Sequence, residues 1–415
     1  MFKSEGKLTK LEKYWILYDV GNSAFIMLVS TIIPIYFKNI AGSNGVSAAN
    51  STAYWGYAIS ISTLIVAILG PILGTLADTK GYKKPLFTLF LMLGVLGCAS
   101  LSLPLTWIAF LAVFIMAKVG VSGSFIFYDA MLSDVTSDDR MDLLSSLGYA
   151  WGYIGSCIPF TVSLLLILNA EKLSMTSAFA TGTAFILNAA WLLLITLPLL
   201  KNYKQVHCVE VENHALSSAF KRLGSTFKDI KKEKAIFTFL LAFFFYIDGV
   251  YTIIEMATSY GKDVGISDDN LLFALLLTQV VAFPFAILFG KLSKRFKTEN
   301  LIGFSIAGYF LIAIFALQLD RAWEFWFLAV CVAIFQGAIQ ALSRSYFAKI
   351  IPKEKSSEYF GFFDIFGKGA SFTGTLLMGI TTQISGNSKT GVAFISLMFI
   401  VGFLIFKKAA KMHKL

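Results

Sequence analysis

Charged residues are scarce in this chain of 415 residues, since Asp, Glu, Lys and Arg together make up only 14% of it. A water-soluble protein has roughly a quarter of its residues charged. Hydrophobic residues instead make up 57% of the chain, and the mean hydropathy is +0.72. The composition therefore excludes an ordinary soluble protein and predicts that most of the surface faces lipid.

Cysteine and histidine are also rare, with four and three residues respectively. The cysteines show no CxxC spacing, which excludes a sequence-defined disulfide framework or structural zinc site. The histidines, His207, His214 and His413, lie in polar segments outside the apolar stretches. No Walker A, HExxH or GxSxG sequence is present. We therefore expect neither a metal nor a cofactor, and a protein that is not an enzyme.

Long apolar stretches are abundant. A helix of about 20 apolar residues crosses a bilayer core of roughly 30 Å. The chain therefore predicts an all-α membrane protein with twelve transmembrane helices. These are called spans 1 to 12, at residues 14–38, 54–77, 85–103, 107–130, 146–169, 177–199, 236–260, 269–291, 299–319, 322–348, 358–384 and 388–406.

Basic residues fall mostly on alternate connections. The segment before span 1 and those after even-numbered spans carry most of the 35 Lys and Arg residues. The other connections carry only Lys38, Lys172, Lys262, Arg321 and Lys389. Because positively charged loops are retained in the cytoplasm, both termini are predicted to be cytoplasmic. The net charge of +10 then reflects topology and contact with anionic membrane lipids, and no nucleic-acid-binding motif accompanies it.

The one long polar connection divides the chain into two halves. A cytoplasmic central loop at 201–235 separates an N-terminal six-helix bundle at 1–200, the N half, from a C-terminal six-helix bundle at 236–415, the C half. The sequence GTLADTKG after span 2 is echoed by GKLSKRFK after span 8. This correspondence indicates an internal repeat and two pseudo-symmetric bundles.

The segment after span 2, GTLADTKGYKK, resembles the signature of the major facilitator superfamily of transporters. Gly74 permits close approach of helices, and Gly81 permits a tight turn. Asp78 can accept hydrogen bonds from a helix N-terminus and pair with a basic group when the cytoplasmic side is shut. We therefore expect a cytoplasmic gate motif that consists of Gly74, Asp78, Gly81, Lys83 and Lys84.

Three further stretches resemble the vacuole-effluxer branch of that superfamily, the autophagy-linked amino-acid exporters and their bacterial relatives. They read WILYDVGNSAF at 15–25, FYDA at 127–130 and QALSRSYFAKIIPKE at 340–354. The resemblance implies export of a small solute, with amino acids the family's best-known cargo, and location in a bacterial cell membrane. It also implies that spans 1, 4, 7 and 10 line a central cavity.

Polar side chains lie inside those same four spans. Charges in the bilayer interior are expensive, so they mark a pathway or a buried pair. Their helical spacing places them in stripes along one face of each helix. We expect a substrate or proton pathway that uses Asp19, Asn22, Lys118, Asp129, Asp248, Tyr251, Glu255, Gln336, Gln340 and Arg344.

Three charged residues also have structural interpretations. Asp364 and Lys368 are four residues apart on span 11, which predicts a local structural ion pair. Arg344 lies near the cytoplasmic end of span 10. It is as compatible with a side chain extended to the lipid headgroups as with a role in the site.

These patterns predict a secondary active transporter. A carboxylate in a partly desolvated cavity can carry a proton near neutral pH. We therefore expect proton-coupled export, by alternating access, of a small polar or zwitterionic solute such as an amino acid. One alternative is a lipid or lysolipid translocator of the same fold, and another is a membrane sensor or scaffold that transports nothing.

Overall fold

The computed structural model describes residues 7–210, 230, 232–263, 268–385 and 388–412. This part of the chain is built from helices joined by short connections, as the sequence predicts. Two of the histidines, His214 and His413, and most of the predicted central loop lie outside the described residues.

The helices follow the predicted order of spans. In chain order they are Lys10–Ser30 with Ile32–Ser43, Ala48–Ala77, Lys83–Ser100, Trp107–Ala130, Asp138–Leu168, Ser177–Asn202, Lys234–Asp263, Asp268–Leu292, Thr298–Ala316, Ala322–Ile350, Ser356–Ser385 and Ser388–Met412. A short helix, Leu132–Val135, follows span 4, and a single 3₁₀ turn, Lys353–Lys355, precedes span 11.

Local sequence explains where span 1 begins and where it is interrupted. The hydroxyl of Thr9 accepts a hydrogen bond from the backbone N–H of Glu12, whose carboxylate accepts one from the backbone N–H of Thr9. This capping box starts span 1. Pro34 has no N–H to donate to the carbonyl of Ser30, and the helix breaks at Thr31.

Among the described residues, eleven helices are long and apolar enough to cross a membrane. The twelfth, Ser356–Ser385, contains 30 residues, which is ample for a crossing at a rise of about 1.5 Å per residue. Large apolar side chains on the outer faces, such as Leu194 and Leu311, are more than 60% exposed. This exposure suits a surface that faces lipid.

The halves pack against one another chiefly through span 2 against span 11 and span 5 against span 8. At Gly74, a Cβ atom would lie 2.3 Å from the carbonyl oxygen of Ser357, so a larger residue would force the two halves apart here. Gly81 has a φ of +86°, which favours glycine in the turn between spans 2 and 3. The close approach lies at the predicted cytoplasmic end, where the halves are shut together.

Candidate functional site

Arg344 of span 10 is the central charged residue of the interface between the halves. Its guanidinium places Nη1 3.0 Å from Oδ1 of Asp129 in span 4 and Nη2 3.3 Å from Oδ2 of Asp19 in span 1. The residue is 1% exposed, so its side chain does not extend to the lipid headgroups. A C-half cation is therefore paired with two N-half carboxylates in the protein interior.

Aromatic rings and span 5 complete the surroundings of this guanidinium. Its carbon atom lies 4.8 Å from the ring centroid of Trp15, 5.6 Å from that of Tyr128 and 4.5 Å from that of Tyr149. Nε donates to Oγ of Ser145 at 2.8 Å, and Nη2 donates to its carbonyl oxygen at 3.0 Å. We call Arg344 with Asp19, Asp129, Ser145 and the three rings the Arg344 cluster.

The cluster is not electrically balanced when both acids are ionised, because two carboxylates face one guanidinium. The Asp129 side chain is 18% exposed, whereas the Asp19 side chain is 6% exposed. A proton can therefore reach the first carboxylate more readily than the second. The uncompensated negative charge makes proton binding chemically reasonable at this position.

A second group of charges lies between the halves. It contains Lys118 of span 4, Glu255 of span 7, and Asp364 and Lys368 of span 11. Lys118 interacts electrostatically with Glu255 and with Lys368 of the opposite half. Glu255 is exposed and lies within electrostatic range of Lys118 in the facing half. We infer from this an accessible space between the halves, called the vestibule.

The gate motif closes the predicted cytoplasmic end. Both carboxylate oxygens of Asp78 accept hydrogen bonds at 2.8 Å, from the backbone N–H groups of Ser357 and Glu358 at the start of span 11. Lys83 donates to Oγ of Ser356 at 3.0 Å and is paired with Asp134 at 3.2 Å. The gate thus joins the connection after span 2 to the N-terminus of a C-half helix.

Burial raises the pKa of Asp78 to about 7, and the nearby Lys83 ammonium and the two N–H donors oppose the rise. The side chain of Asp78 is fully buried, and Nζ of Lys83 lies 4.0 Å from Oδ1. A proton on Asp78 is therefore better tolerated while the gate is closed than after water has reached the carboxyl group.

The chain that leaves span 6 folds back onto the gate motif. Val209 donates its backbone N–H to the carbonyl oxygen of Asp78 at 2.8 Å, and its own carbonyl accepts from the N–H of Lys80. Tyr203 and His207 both contact the Asp134 carboxylate, the partner of Lys83. The start of the central loop therefore positions the gate residues.

A second set of contacts between the halves, at the same end as the gate, was not predicted from the sequence. Asp142, in the first turns of span 5, accepts hydrogen bonds at 2.6 Å from the hydroxyls of Thr298 and Ser345 and forms an ion pair with Lys349 at 2.6 Å. All three partners belong to the C half. We call Asp142 with these partners the Asp142 latch.

Comparison with known proteins gives the family. The family described as vacuole effluxer Atg22 like matches residues 9–414. This chain belongs to that family. It is 46% identical over 404 residues to the uncharacterized MFS-type transporter YxiO of Bacillus subtilis (strain 168), covering 96% of this chain and 94% of that protein. It is 24% identical over 459 residues to autophagy-related protein 22 of Eremothecium gossypii, covering 94% and 89%.

Solved structures show the fold. FucP, a major facilitator superfamily transporter in the outward conformation, matches with a TM-score of 0.75 at 15% identity, covering 96% of this chain and 97% of that chain. A bacterial homologue of the iron transporter ferroportin in an outward-facing state gives 0.72 at 12% identity, covering 97% and 98%. The predicted major facilitator fold and family resemblance are confirmed, and the chain is an MFS-type, multi-pass integral membrane protein.

Two predicted pathway residues of this Atg22-like transporter each make their contacts within their own half. Asn22 is fully buried and donates to the hydroxyl of Tyr18 at 2.9 Å. Asp248 is fully buried and accepts the backbone N–H of Gly374 at 2.8 Å, between spans 7 and 11. The first contact lies within span 1 and the second joins two helices of the C half, so a pathway role for either residue remains a prediction.

The other predicted residues lie in the C half or beside the gate. Gln340 is partly buried and donates to the carbonyl oxygen of Gln336 at 3.2 Å, while Gln336 also lines an apolar cavity within the C half. Tyr251 is within electrostatic range of Asp129 and Glu255. Lys84 is partly buried beside the gate.

The Asp364 and Lys368 side chains approach to 2.6 Å, the geometry of an ion pair along one helix. Each side chain is about a fifth exposed, and Asp364 lies within electrostatic range of Asp129 in the other half. The pair can therefore serve both the helix and the vestibule.

Proposed function

We propose that this Atg22-like transporter exports a small polar or zwitterionic solute, such as an amino acid, in exchange for protons by alternating access. The observation that carries the proposal is the Arg344 cluster. Two carboxylates of one half meet a single guanidinium of the other half, at a place that opening of the adjacent gate must disrupt.

Proton coupling follows from the charge of this cluster. With the gate closed, the guanidinium compensates one carboxylate, and a proton entering from the vestibule can neutralise the other through the partly exposed Asp129. When the halves separate at the cytoplasmic end, Arg344 withdraws and water reaches the acids. The proton is then released to the cytoplasm, and the acids can engage a solute.

The chemistry of the vestibule favours a solute with charges of both signs. Lys118 and Lys368 offer ammonium groups, while Glu255 and Asp364 offer carboxylates. Such a mixed surface matches an ammonium and a carboxylate on one molecule. It is a poor match to an uncharged apolar compound, whose binding would leave these groups desolvated.

The orientation of the molecule is part of the proposal. The basic connections and the shut gate lie at the same end, and we assign this end to the cytoplasm on the basis of the positive-inside pattern. In this assignment the structure corresponds to the outward-facing state. Both termini and the central loop are then cytoplasmic, in a bacterial cell membrane.

The test uses proteoliposomes loaded with a mixture of labelled amino acids. Acidifying the outside should accelerate efflux in the wild type. Asp129→Asn should lose this acceleration, measured as the ratio of its efflux rates with and without the acid gradient, whatever its rate of exchange. Asp320→Asn, at a side chain that is 68% exposed, is the matched control and should behave like the wild type.

Three results would contradict the proposal. Gradient-driven efflux that survives both Asp129→Asn and Asp19→Asn would remove these acids from proton coupling. Movement of labelled lysolipid without movement of any soluble solute would favour a lipid translocator. Failure to move either class of molecule would favour a sensor or scaffold.

A further inference from the structure

The groups that surround the Arg344 guanidinium come from one half of the molecule. Asp19 and Trp15 belong to span 1, Asp129 and Tyr128 to span 4, and Tyr149 to span 5. We call these five residues the cation cage. Arg344 enters the cage from the C half, so host and guest belong to bodies that separate when the gate opens.

The cage is held together without help from its guest. The Trp15 and Tyr128 rings stack with centroids 4.4 Å apart and an interplanar angle of 15°. The indole N–H of Trp15 donates to the carbonyl oxygen of Tyr128 at 3.1 Å. These contacts link spans 1 and 4, so two of the rings keep their positions when Arg344 leaves.

The backbone of span 5 also leaves room for the cation and its acid. A Cβ atom at Gly148 would lie 2.2 Å from Oδ2 of Asp19 and 3.1 Å from Nη2 of Arg344. Glycine is therefore required for the carboxylate and guanidinium to meet here. A cradle of two acids, aromatic faces and a glycine is the chemistry that recognises guanidinium and substituted ammonium ions.

Withdrawal of Arg344 has an electrostatic cost. It would leave two carboxylates and three electron-rich ring faces without a cation, in a site that is largely buried in this state. Unpaired buried charge is strongly unfavourable, so an incoming cation or protons must replace the guanidinium, or water must enter fully. Of these three, only an incoming cation would use the aromatic rings.

We propose that the cation cage binds the cationic nitrogen of the transported solute, a guanidinium or substituted ammonium group, when the molecule is open to the cytoplasm. Arg344 and the solute occupy the cage alternately. Closure of the gate returns Arg344 to the cage and expels the solute into the vestibule. The inference rests on the proposed transport function and names the chemical group that this function recognises.

The test removes the Arg344 guanidinium by mutation and supplies a free guanidinium ion in solution. Purified Arg344→Ala protein should be less heat-stable than the wild type, and millimolar methylguanidinium should raise its melting temperature. Arg321→Ala removes a guanidinium that is 71% exposed, and methylguanidinium should give this matched control no comparable rise. Sodium acetate should give no rise with either variant.

Further substitutions locate the binding. Adding Asp19→Asn and Asp129→Asn to Arg344→Ala should abolish the rise with methylguanidinium. Adding Tyr149→Leu should weaken methylguanidinium binding by about 2- to 30-fold, the range expected for loss of one cation–π contact. Equal rises in Arg344→Ala and Arg321→Ala, or a rise that survives loss of both acids, would overturn the cage as the binding site.

A measurement on the wild type covers the case in which Arg344→Ala does not fold. Methylguanidinium on the cytoplasmic face of proteoliposomes should inhibit solute exchange competitively, and guanidinium-free salts should not. Exchange that methylguanidinium leaves unchanged would overturn the proposal. The melting experiment needs no transport. If methylguanidinium stabilises Arg344→Ala but the wild-type protein moves no solute, the proposed function is refuted while the cage is supported.

Discussion

Replacing Asp78 by alanine should open the gate that we assign to the cytoplasmic end. The carboxylate satisfies two backbone N–H groups of span 11, from Ser357 and Glu358, each at 2.8 Å. Alanine leaves both donors without this acceptor, and an unsatisfied buried donor costs about 1–3 kcal/mol. Because water can enter partly at this end, we expect about 2–4 kcal/mol in total, equivalent to roughly a 30- to 700-fold shift toward the open state.

The assay measures the distance across the gate directly. Lys80 and Glu354 are exposed on opposite halves. Spin labels on Lys80→Cys and Glu354→Cys, in a background without other cysteines, would report the distribution of distances between the two labels by double electron–electron resonance. Asp78→Ala should move most of the population to longer distances. Asp320→Asn, on the exposed surface of the other end, should leave the distribution unchanged.

Asp78→Asn removes the negative charge of the side chain but nearly keeps its shape. Burial raises the pKa of Asp78 to about 7, so the neutral carboxyl form is well tolerated in the closed gate. Asp78→Asn should therefore open the gate less than Asp78→Ala does. If Asp78→Ala keeps the wild-type distance distribution, these two hydrogen bonds do not hold the gate, and the reasoning fails.

Three other predictions concern the gate, the Asp142 latch and the cation cage. In the closed gate the pKa of Asp78 is raised, so the closed population should be largest in acid and should fall as pH rises through about 7; Asp78→Asn should remove this dependence. Asp142→Ala should also lengthen the spin-label distances, because its three C-half partners lose their acceptor; an unchanged distribution would rule out the latch. Gly148→Ala should lower the melting temperature, since its Cβ would collide with the Asp19 carboxylate at 2.2 Å, whereas Gly42→Ala, with open space around it, should be neutral; equal melting temperatures would contradict the clash.

The fold could be predicted because its signals are local. Each span is an apolar stretch of sufficient length, and the alternation of basic connections needs no tertiary information. The limits of the helices were less accurate. Span 5, for example, begins at Asp138 rather than near 146, because a polar first turn at the membrane surface has no hydropathy signal.

The candidate site could be predicted only in part. Asp19, Asp129 and Arg344 stand out as charges within apolar helices, but their meeting depends on how two separate halves dock. Asp142 was missed because an acid at a helix end resembles any surface residue. The spacing of span 1 puts Trp15 on one stripe with Asp19, but the Tyr149 ring was not distinguishable among the many aromatic residues, which make up 15% of the chain.

Each contact between the halves must break during the proposed transport cycle. The depth of the contact decides whether a ligand is needed when it breaks. Asp78 and Asp142 lie at the end of the bundle, so water can satisfy their polar groups as soon as the halves part. The Arg344 cluster lies deeper, between spans 1, 4, 5 and 10, where separation exposes two acids that had a cation between them. The proposed alternating-access cycle requires states that differ by only a few kcal/mol, and two acids that lose their cation while water still reaches them poorly would exceed that difference. In that cycle a solute cation takes the place of the guanidinium and of the released proton at the Arg344 cluster, whereas water suffices at the gate and the latch.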